Sequence, residues 1–328
     1  MILIKRRNFL RGALAAPAVI TLEGHNARLG AQTYPSRPIR LIWPGATGGG
    51  PYTIVRLIAQ KVEEKGATVV VEGRVGANGV VAAAAVKNAS PDGYTIVLGH
   101  NATHAANVTL IKDLPYNPVT DFEPITLLFV IHQALIVPSS LGVKSVNELR
   151  DLARSKPGGL SYASSGIGAA AHLMAEMLAK AFGVSMTHVP YPNSSAARPD
   201  LLTGRVDLMF NTLPLFQGDI EKGTMRALAI ASPQRLKHAP DLPTLAEAGY
   251  PNIDVESWFG LFAPAKTDPT NLDVLNGLFR PAAESITEIA AQQGFVIRTS
   301  TRAEFADLVK HDIVRLGALI RDIGIQPN

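Results

Sequence analysis

The chain contains no cysteine among its 328 residues, which excludes disulfide bonds and any metal site built on thiolates. Stability must therefore come from a buried core, and a hydrophobic content of 47% is enough to build one. Internal repeats and low-complexity segments are also missing. Beyond the first residues, no apolar run is long enough to span a bilayer. The length favours two domains of ordinary size.

The chain has little net charge once its first residues are set aside. The whole sequence carries 31 Lys and Arg against 27 Asp and Glu. Residues 1–31 hold five of the basic residues and one acidic residue, so the remainder carries equal numbers of each sign. No basic run interleaved with aromatic side chains appears either. The sequence therefore lacks the electrostatic surface that nucleic-acid binding requires, and no nucleic acid is expected as a partner.

The N-terminus has the layout of an export signal. Lys5, Arg6 and Arg7 precede an uncharged apolar run at residues 12–22, which is too short to cross a membrane. The segment KRRNFLR resembles a twin-arginine signal. The alternative is an amphipathic N-terminal helix of a cytosolic protein. We expect cleavage after Ala31 and a periplasmic, monomeric mature protein.

Short apolar runs alternate with helical patterns along the rest of the chain. The predicted strands lie at residues 39–44, 68–72, 95–99, 129–137, 160–163, 187–190, 207–210, 227–231, 258–263 and 295–298. Capping-box pairs mark three helix starts. These pairs are Ser145 with Glu148, Thr244 with Glu247, and Thr301 with Glu304. Nearly continuous apolar strands separated by helices favour an α/β fold with mostly parallel sheets, covered on both faces.

Two long apolar segments, residues 122–138 and 256–264, predict that the chain crosses twice between domains. In that case residues 34–130 and 260–328 form a discontinuous first lobe, and residues 131–259 form the second. Two doubly wound α/β lobes joined by a two-strand hinge are the layout of a clamshell solute receptor, the Venus-flytrap arrangement. The alternative is two consecutive domains joined by one linker.

A glycine-rich turn, PGATGGG, lies between the first predicted strand and a helix. No lysine follows Gly50, so it is not a P-loop, and its glycine spacing does not fit a dinucleotide fingerprint. Gly48, Gly49 and Gly50 leave backbone N–H groups uncovered at a helix N-terminus, where the helix dipole favours an anion. A carboxylate or a phosphate suits such a turn. The alternative is a flexible turn that binds nothing.

A second turn of this kind lies in the segment SYASSGIGAAAHL. Ser164 and Ser165 end a strand, Gly166 and Gly168 follow, and a helix begins near Ala169. Two such turns, one in each lobe, are expected to face each other across a cleft. An ordinary strand-to-helix turn capped by serine explains the segment equally well. The nucleophile elbow G-x-S-x-G is missing, which argues against a serine hydrolase.

Scattered polar residues complete the candidate site. His100 and His104 stand four apart, but without a carboxylate or a third ligand they make a poor zinc site, and we expect neither metal nor cofactor. His172 lies in the first turn of its helix and is expected to orient Ser164 or a ligand. Tyr191 and Asn211 each follow a strand, where ligands gather in open α/β sheets.

The order of several short motifs resembles the tripartite tricarboxylate transporter substrate-binding proteins, also called Bug receptors. The likeness covers nearly the whole chain after the export signal. The motifs are IRLIWP followed by GGG, SPDGYT, LPYNPVTDFEPIT, YASSGIGAAAHL, HVPY, GRVDLMFN, LPTLAEAGYP and SWFGLFAPA.

The resemblance implies a type II periplasmic binding protein, which is a receptor and not an enzyme, with two lobes that close on a small organic carboxylate. Its partners would be the membrane subunits of a tripartite tricarboxylate transporter. Contacts transferred by position from the first lobe are Gly48, Gly49, Gly50, Tyr52, Thr53, Asn101, Thr103 and His104. Those from the second lobe are Ser164, Ser165, Gly166, Gly168, Ala169, Ala170, His172, Tyr191 and Asn211.

The sequence departs from the family pattern at two positions. After Gly50 it continues with Pro51, Tyr52 and Thr53, with one inserted residue and no aspartate, and Asn211 stands where an aspartate is common. The loss of two acids disfavours amine-bearing ligands such as amino acids. It favours a plain di- or tricarboxylate or an aromatic carboxylate, with Tyr52 against the ring. Two alternatives stay open: an exported α/β enzyme that uses the glycine turn for a cofactor, and the ligand-binding module of a sensor.

Overall fold

The computed structural model describes residues 34–45 and 47–327. The predicted export signal at residues 1–31 and its cleavage after Ala31 lie outside the described residues. From Tyr34 onward the chain forms one compact unit. Within the described ranges, no helix is both long and apolar enough to cross a membrane.

Eleven strands occur in the described residues and form two sheets. They are β1 (Ile39–Trp43), β2 (Val69–Gly73), β3 (Thr95–His100), β4 (Phe122–Ile131), β5 (Gln133–Pro138), β6 (Ser161–Ser164), β7 (Thr187–Pro190), β8 (Leu208–Asn211), β9 (Met225–Ala231), β10 (Ser257–Pro264) and β11 (Phe295–Ile297). The first sheet has the order β11-β4-β10-β3-β1-β2, and the second has the order β7-β6-β8-β5-β9.

Helices follow most strands. They are α1 (Gly50–Glu63), α2 (Val80–Lys87), α3 (Asn107–Leu110), α4 (Val146–Ser155), α5 (Ala170–Phe182), α6 (Ser194–Leu202), α7 (Leu213–Glu221), α8 (Pro269–Glu284), α9 (Thr287–Gln292) and α10 (Arg302–Asp322). The first sheet with α1–α3 and α8–α10 is called the first lobe below, and the second sheet with α4–α7 is called the second lobe. The predicted α/β class with two lobes is confirmed.

The chain passes between the sheets at two places. β4 ends at Ile131 in the first sheet and β5 begins at Gln133 in the second, so a single residue, His132, makes the first passage. The single strand predicted at residues 129–137 is therefore wrong, because that run divides between two sheets. Residues 232–256 make the return passage from β9 to β10. The predicted lobe boundaries near residues 130 and 260 stay a prediction.

Both sheets are mixed, so the prediction of mostly parallel sheets is wrong. β1 pairs in parallel with β2 and β3, and β6 pairs in parallel with β7 and β8. The strands at the passages, β4, β5 and β10, make only antiparallel pairs. These strands are largely apolar because most of their residues are buried, and a buried antiparallel strand has the same composition as a buried parallel one.

Alternate residues of the strands point into different parts of the core. In β1 and β3, Ile42 and Val97 pack on one face of the first sheet, while Leu41 and Leu98 pack on the other. The cluster that holds Ile42 also holds Tyr162 of the second sheet, so one continuous apolar region covers a face of each sheet. This shared region ties the two lobes together.

Two of the three predicted capping boxes begin helices. The Ser145 side chain accepts a hydrogen bond from Glu148 N at the start of α4, and Thr301 and Glu304 bond reciprocally at the start of α10. Thr244 and Glu247 also exchange hydrogen bonds, but the residues after them form turns instead of the predicted helix.

Candidate functional site

The serine–glycine turn of the second lobe lies against the first lobe. A Cβ atom placed on Gly168 would lie 2.1 Å from Cδ1 of Leu110 in α3, so only a glycine permits this approach. Beside it, the side-chain amide of Asn78 donates to the Ile167 carbonyl oxygen at 3.4 Å. These four residues form the first contact between the lobes.

A second contact between the lobes lies beside β11, an edge strand of the first sheet. A Cβ atom on Gly294, just before edge strand β11, would lie 2.8 Å from Cδ of Pro214 at the start of α7. The glycine-rich turn lies next to this contact, because a Cβ atom on Gly50 would lie 2.7 Å from the ring of Phe295. Helix α1 of the first lobe and helix α7 of the second lobe therefore both begin beside this second contact.

The glycine-rich turn has a backbone conformation that requires glycine. Gly48 and Gly49 have φ angles of 107° and 81°, and Gly49 is the N-cap of α1. Thr53 donates to the Gly49 carbonyl oxygen through both its backbone N–H and its hydroxyl, at 3.1 Å each. The turn is thus held by its own helix, with no side chain capping the first N–H groups.

Helices α1 and α5 begin without a side-chain cap, unlike several other helices. Their N-cap residues are Gly49 and Ala169, and neither supplies a side-chain acceptor. In contrast, the side chains of Ser145, Asn193 and Asp268 cap α4, α6 and α8. Uncapped N–H groups at a helix start are donors available to an anion. This geometry suits the predicted carboxylate site, while the ligand contacts themselves stay a prediction.

Side chains of its own lobe already occupy two backbone N–H groups of the serine–glycine turn. Gly166 N donates to Ser164 Oγ at 3.1 Å, and Gly168 N donates to His172 Nδ1 at 3.0 Å. The N–H groups of both glycines are therefore already hydrogen-bonded within the turn, while their predicted ligand contacts stay a prediction. The uncapped donors of this lobe lie one step later, at Ala170 and in the rest of the first turn of α5.

Ser164 is oriented by His188, not by His172 as the sequence suggested. Its hydroxyl lies 2.6 Å from His188 Nε2 and donates to the Gly166 carbonyl oxygen at 3.0 Å. His172 instead stacks on His188, with ring centroids 4.1 Å apart and an interplanar angle of 13°. The sequence analysis missed His188, although the predicted strand at residues 187–190 contained it; the structure pairs it with Tyr162 of β6.

Burial keeps both stacked imidazoles neutral. The pKa of His172 is lowered to about 4, first by burial and second by the neighbouring His188. Burial also lowers the pKa of His188. Since an unprotonated Nδ1 is needed to accept the Gly168 N–H, the neutral form of His172 maintains the turn.

The Ser164–His188 pair does not have the layout of a catalytic triad. Ser164 is fully buried, and its hydroxyl is engaged by two groups of its own turn. Among the described residues, no acidic side chain hydrogen-bonds His188; the nearby Glu176 accepts from Tyr162 Oη. A triad needs a third group that orients the base, so this pair maintains the shape of the turn.

The three predicted residues after β3 are buried. Thr103 Oγ1 exchanges hydrogen bonds with the backbone of His100, at 3.0 Å from its N–H and 3.1 Å from its carbonyl oxygen. Asn101 is 4% exposed, and its Nδ2 has no hydrogen-bond partner among the described residues. His104 stacks on Phe262 at 3.9 Å. His104 Nε2 is buried and has no hydrogen-bond partner among the described residues, and the predicted ligand contact of His104 stays a prediction.

The remaining predicted residues lie at the ends of strands or helices. Tyr191 follows β7, and its hydroxyl donates to Asp200 at 2.7 Å. Asn211 ends β8 and accepts from Thr212 N at 2.7 Å. Ser165 is exposed on its turn. Tyr52 packs edge-on against Trp43 at 5.8 Å, inside its own lobe, so its predicted contact with an aromatic ligand stays untested.

Asn78 is a residue at the first contact between the lobes that the sequence analysis missed. It follows β2 in the segment Gly-Ala-Asn-Gly at residues 76–79, and its φ of 52° and that of Ala77, 43°, are in the left-handed region. A glycine- and asparagine-rich turn after a strand was the available signal. None of the residues predicted to contact the ligand, nor Asn78, is an Asp, Glu, Lys or Arg.

Comparison with known proteins agrees with this architecture. The model of the tripartite tricarboxylate transporter family receptor matches residues 54–325. The periplasmic binding protein BugD has a similar structure, with a TM-score of 0.80 and 31% identity over 90% of this chain and all of that one.

Two similar Rhodopseudomonas palustris proteins were solved with a ligand. The one with adipate has a TM-score of 0.83 and 32% identity, covering 90% of this chain and all of that one. The other, MatC with bound malate, has a TM-score of 0.78 and 30% identity, covering 88% and 100%. The chain therefore belongs to the tripartite tricarboxylate transporter receptor family, whose members are periplasmic solute-binding receptors.

Proposed function

We propose that this protein is a periplasmic receptor that binds a small organic dicarboxylate between its two lobes. One carboxylate would accept hydrogen bonds from the uncapped starts of α1 and α5. The observation that carries the proposal is that both helices begin without a side-chain cap beside a contact between the lobes, α5 at the first contact and α1 at the second. Adipate and malate in two similar structures support the ligand class.

The proposal includes delivery of the ligand to the membrane subunits of a tripartite tricarboxylate transporter. Its mechanism is a population shift, since a ligand that touches both lobes favours the closed form. The passages at His132 and at residues 232–256 would serve as the hinge, which is consistent with lobe boundaries near residues 130 and 260. The family and the export-like N-terminus support a periplasmic location.

The proposed ligand class excludes amino acids. Asn211 and the absence of an acid beside Gly50 leave no carboxylate side chain to pair with an ammonium group among the proposed contacts. A plain dicarboxylate would instead find neutral donors. An aromatic carboxylate such as benzoate is the second chemical class that these contacts allow.

The test is a thermal-shift and calorimetric screen of the mature protein. It would compare adipate, malate, citrate and benzoate with aspartate and glutamate. A ligand present at a hundred times its Kd should add about 2.7 kcal/mol to the free energy of unfolding, enough to raise Tm measurably. Stabilisation by the amino acids alone would contradict the proposed ligand class. If native mass spectrometry finds bound NAD(P), that result would contradict the proposal that the protein is a solute receptor.

We further propose that the protein is not an enzyme. The Ser164 hydroxyl is buried and held by its own turn, so it should not attack an ester. The expected result is no turnover of a p-nitrophenyl ester above the buffer rate. Turnover that disappears in Ser164→Ala would favour the exported-enzyme alternative.

A further inference from the structure

We propose that Asn78 clamps the closed form by a hydrogen bond across the cleft, and that it thereby sets how long the ligand stays bound. The inference rests on the proposed function, because it concerns the ligand of that same cleft. Its amide Nδ2 donates to two acceptors, Asn107 Oδ1 in its own lobe at 3.0 Å and Ile167 O in the other lobe at 3.4 Å.

The first lobe holds Asn78 in a fixed position. Asn107 is fully buried, and its own amide donates back to the Asn78 carbonyl oxygen at 3.3 Å. Ala77 and Asn78 both adopt left-handed φ angles, a conformation that costs free energy in residues other than glycine. A Cβ atom on Gly79 would lie 2.4 Å from Cγ2 of Thr103, so the turn also packs closely against the residues that follow β3.

The acceptor, the Ile167 carbonyl oxygen, is also held in a fixed position, in the second lobe. Ile167 lies between Gly166 and Gly168, whose N–H groups are bonded to Ser164 Oγ and His172 Nδ1. The serine–glycine turn therefore presents the Ile167 carbonyl oxygen from a rigid support. This turn leads directly into α5, which supplies the proposed ligand donors of the second lobe.

The geometry makes the clamp easy to release. When the lobes separate, Asn78 Nδ2 loses Ile167 O but keeps Asn107 Oδ1, and because Asn78 is exposed its freed N–H can bond to water, so no donor is left without a partner. The cost of a broken hydrogen bond is greatest when a buried group stays unsatisfied. A donor shared between a permanent and a removable acceptor thus stabilises the closed form without blocking opening.

Removal of the donor should therefore speed ligand release without unfolding the protein. Asn78→Gly deletes the amide at a position whose left-handed φ glycine tolerates well. We expect its dissociation rate for adipate or malate to rise about fivefold, the effect of one net hydrogen bond, with little change in the association rate. Asn78→Asp, which offers no donor at neutral pH, should give a similar or larger rise. The matched controls are Asn88→Gly and Asn88→Asp, since Asn88 is exposed on the turn after α2 and belongs to neither the proposed contacts nor the hinge.

A second measurement does not depend on any ligand. Because the chain has no cysteine, Lys65→Cys and Lys222→Cys, exposed in the first and second lobes respectively, allow a spin label to be placed on each lobe. Double electron–electron resonance then reports the interlobe distance. The clamp predicts a smaller closed fraction in Asn78→Gly than in the parent protein, and no change in Asn88→Gly.

The results of these two measurements show whether the Asn78 clamp fails, the proposed ligand class fails, or both. An interlobe distance distribution unchanged by Asn78→Gly overturns the clamp, whatever the protein binds, and so does an unchanged dissociation rate for a bound dicarboxylate. A protein that binds no carboxylate, but whose closed fraction falls in Asn78→Gly, keeps the clamp and contradicts only the proposed ligand.

Discussion

Ser164 shows how one buried hydroxyl shapes a whole turn. Its oxygen accepts from Gly166 N, donates to Gly166 O and lies against His188 Nε2. Ser164→Ala would remove the side-chain partner of Gly166 N, Gly166 O and His188 Nε2, so we expect a loss of about 1–3 kcal/mol in the free energy of unfolding. Ligand affinity should fall as well, because α5 starts from this turn. Urea denaturation and calorimetry measure the two effects.

The control for this variant is Ser155→Ala. Ser155 is exposed, and its hydroxyl donates to the Leu152 carbonyl oxygen within its own helix. Its removal should change stability by no more than about 0.5 kcal/mol. An equal loss of stability in both variants would contradict the role given to Ser164.

His172 makes the fold sensitive to acid. Its pKa in the folded chain is about 4, below the ordinary value of 6.5. Between these values the unfolded chain binds a proton that the folded chain does not, so the stabilisation is complete above pH 6.5 and decreases as the pH falls toward 4. In His172→Asn, whose side-chain oxygen can still accept the Gly168 N–H, the loss of stability over this range should be smaller by at most ~1.4 kcal/mol per pH unit.

Urea unfolding at several pH values between 6.5 and 4 tests this expectation. His100 and His104, whose pKa values burial lowers to about 4 and about 3, titrate in both proteins and cancel in the comparison. Parallel stability curves for the two proteins would contradict the assigned role of His172.

At the scale of elements, the helices fall into two kinds according to their first turn. The start of α10 is closed by the Thr301–Glu304 capping box, whereas α1 begins at Gly49 with φ 81° and ψ 166° and has no side-chain cap. Thr301→Ala should cost about 1 kcal/mol of stability and leave ligand affinity unchanged. Gly49→Ala should weaken ligand binding at least tenfold, because ~1–3 kcal/mol of backbone strain would move the donor groups of α1.

Stability and affinity must both be measured for these two variants, by urea denaturation and calorimetry. We expect Thr301→Ala to lower mainly the stability and Gly49→Ala to lower mainly the ligand affinity. A Gly49→Ala protein that binds its dicarboxylate normally would show that the start of α1 does not hold the ligand.

Sequence patterns predicted some of the helices and strands and missed others. Strand positions followed from apolar runs, and the starts of α4 and α10 followed from capping residues. The apolar run at residues 122–138 gave no sign that it divides between two sheets at His132, because the buried residues on both sides of His132 are equally apolar. Strand direction was missed for the same reason.

At the scale of the whole molecule, the lobes share buried surface. Ile42 of the first sheet and Tyr162 of the second belong to one continuous apolar cluster, and Lys180 of α5 forms an ion pair with Asp322 of α10. We therefore expect both lobes to unfold in one cooperative transition. Trp43 and Trp258 both lie in the first sheet, so their fluorescence reports that sheet alone, while far-ultraviolet circular dichroism reports both. Coincident urea transitions are the expected result, and separate midpoints would contradict it.

The sequence by itself determined the class of fold and the two turns at the cleft, because strand and helix periods, glycines and capping residues are local properties of the chain. It also indicated the family, through the order of its motifs. Only the tertiary structure decided which groups those turns engage. His188 lies beside Ser164, and Asn78 reaches Ile167, across separations of 24 and 89 residues. Hydrogen bonds between distant segments depend on how the sheets are ordered and how the lobes meet, and no local pattern encodes that arrangement.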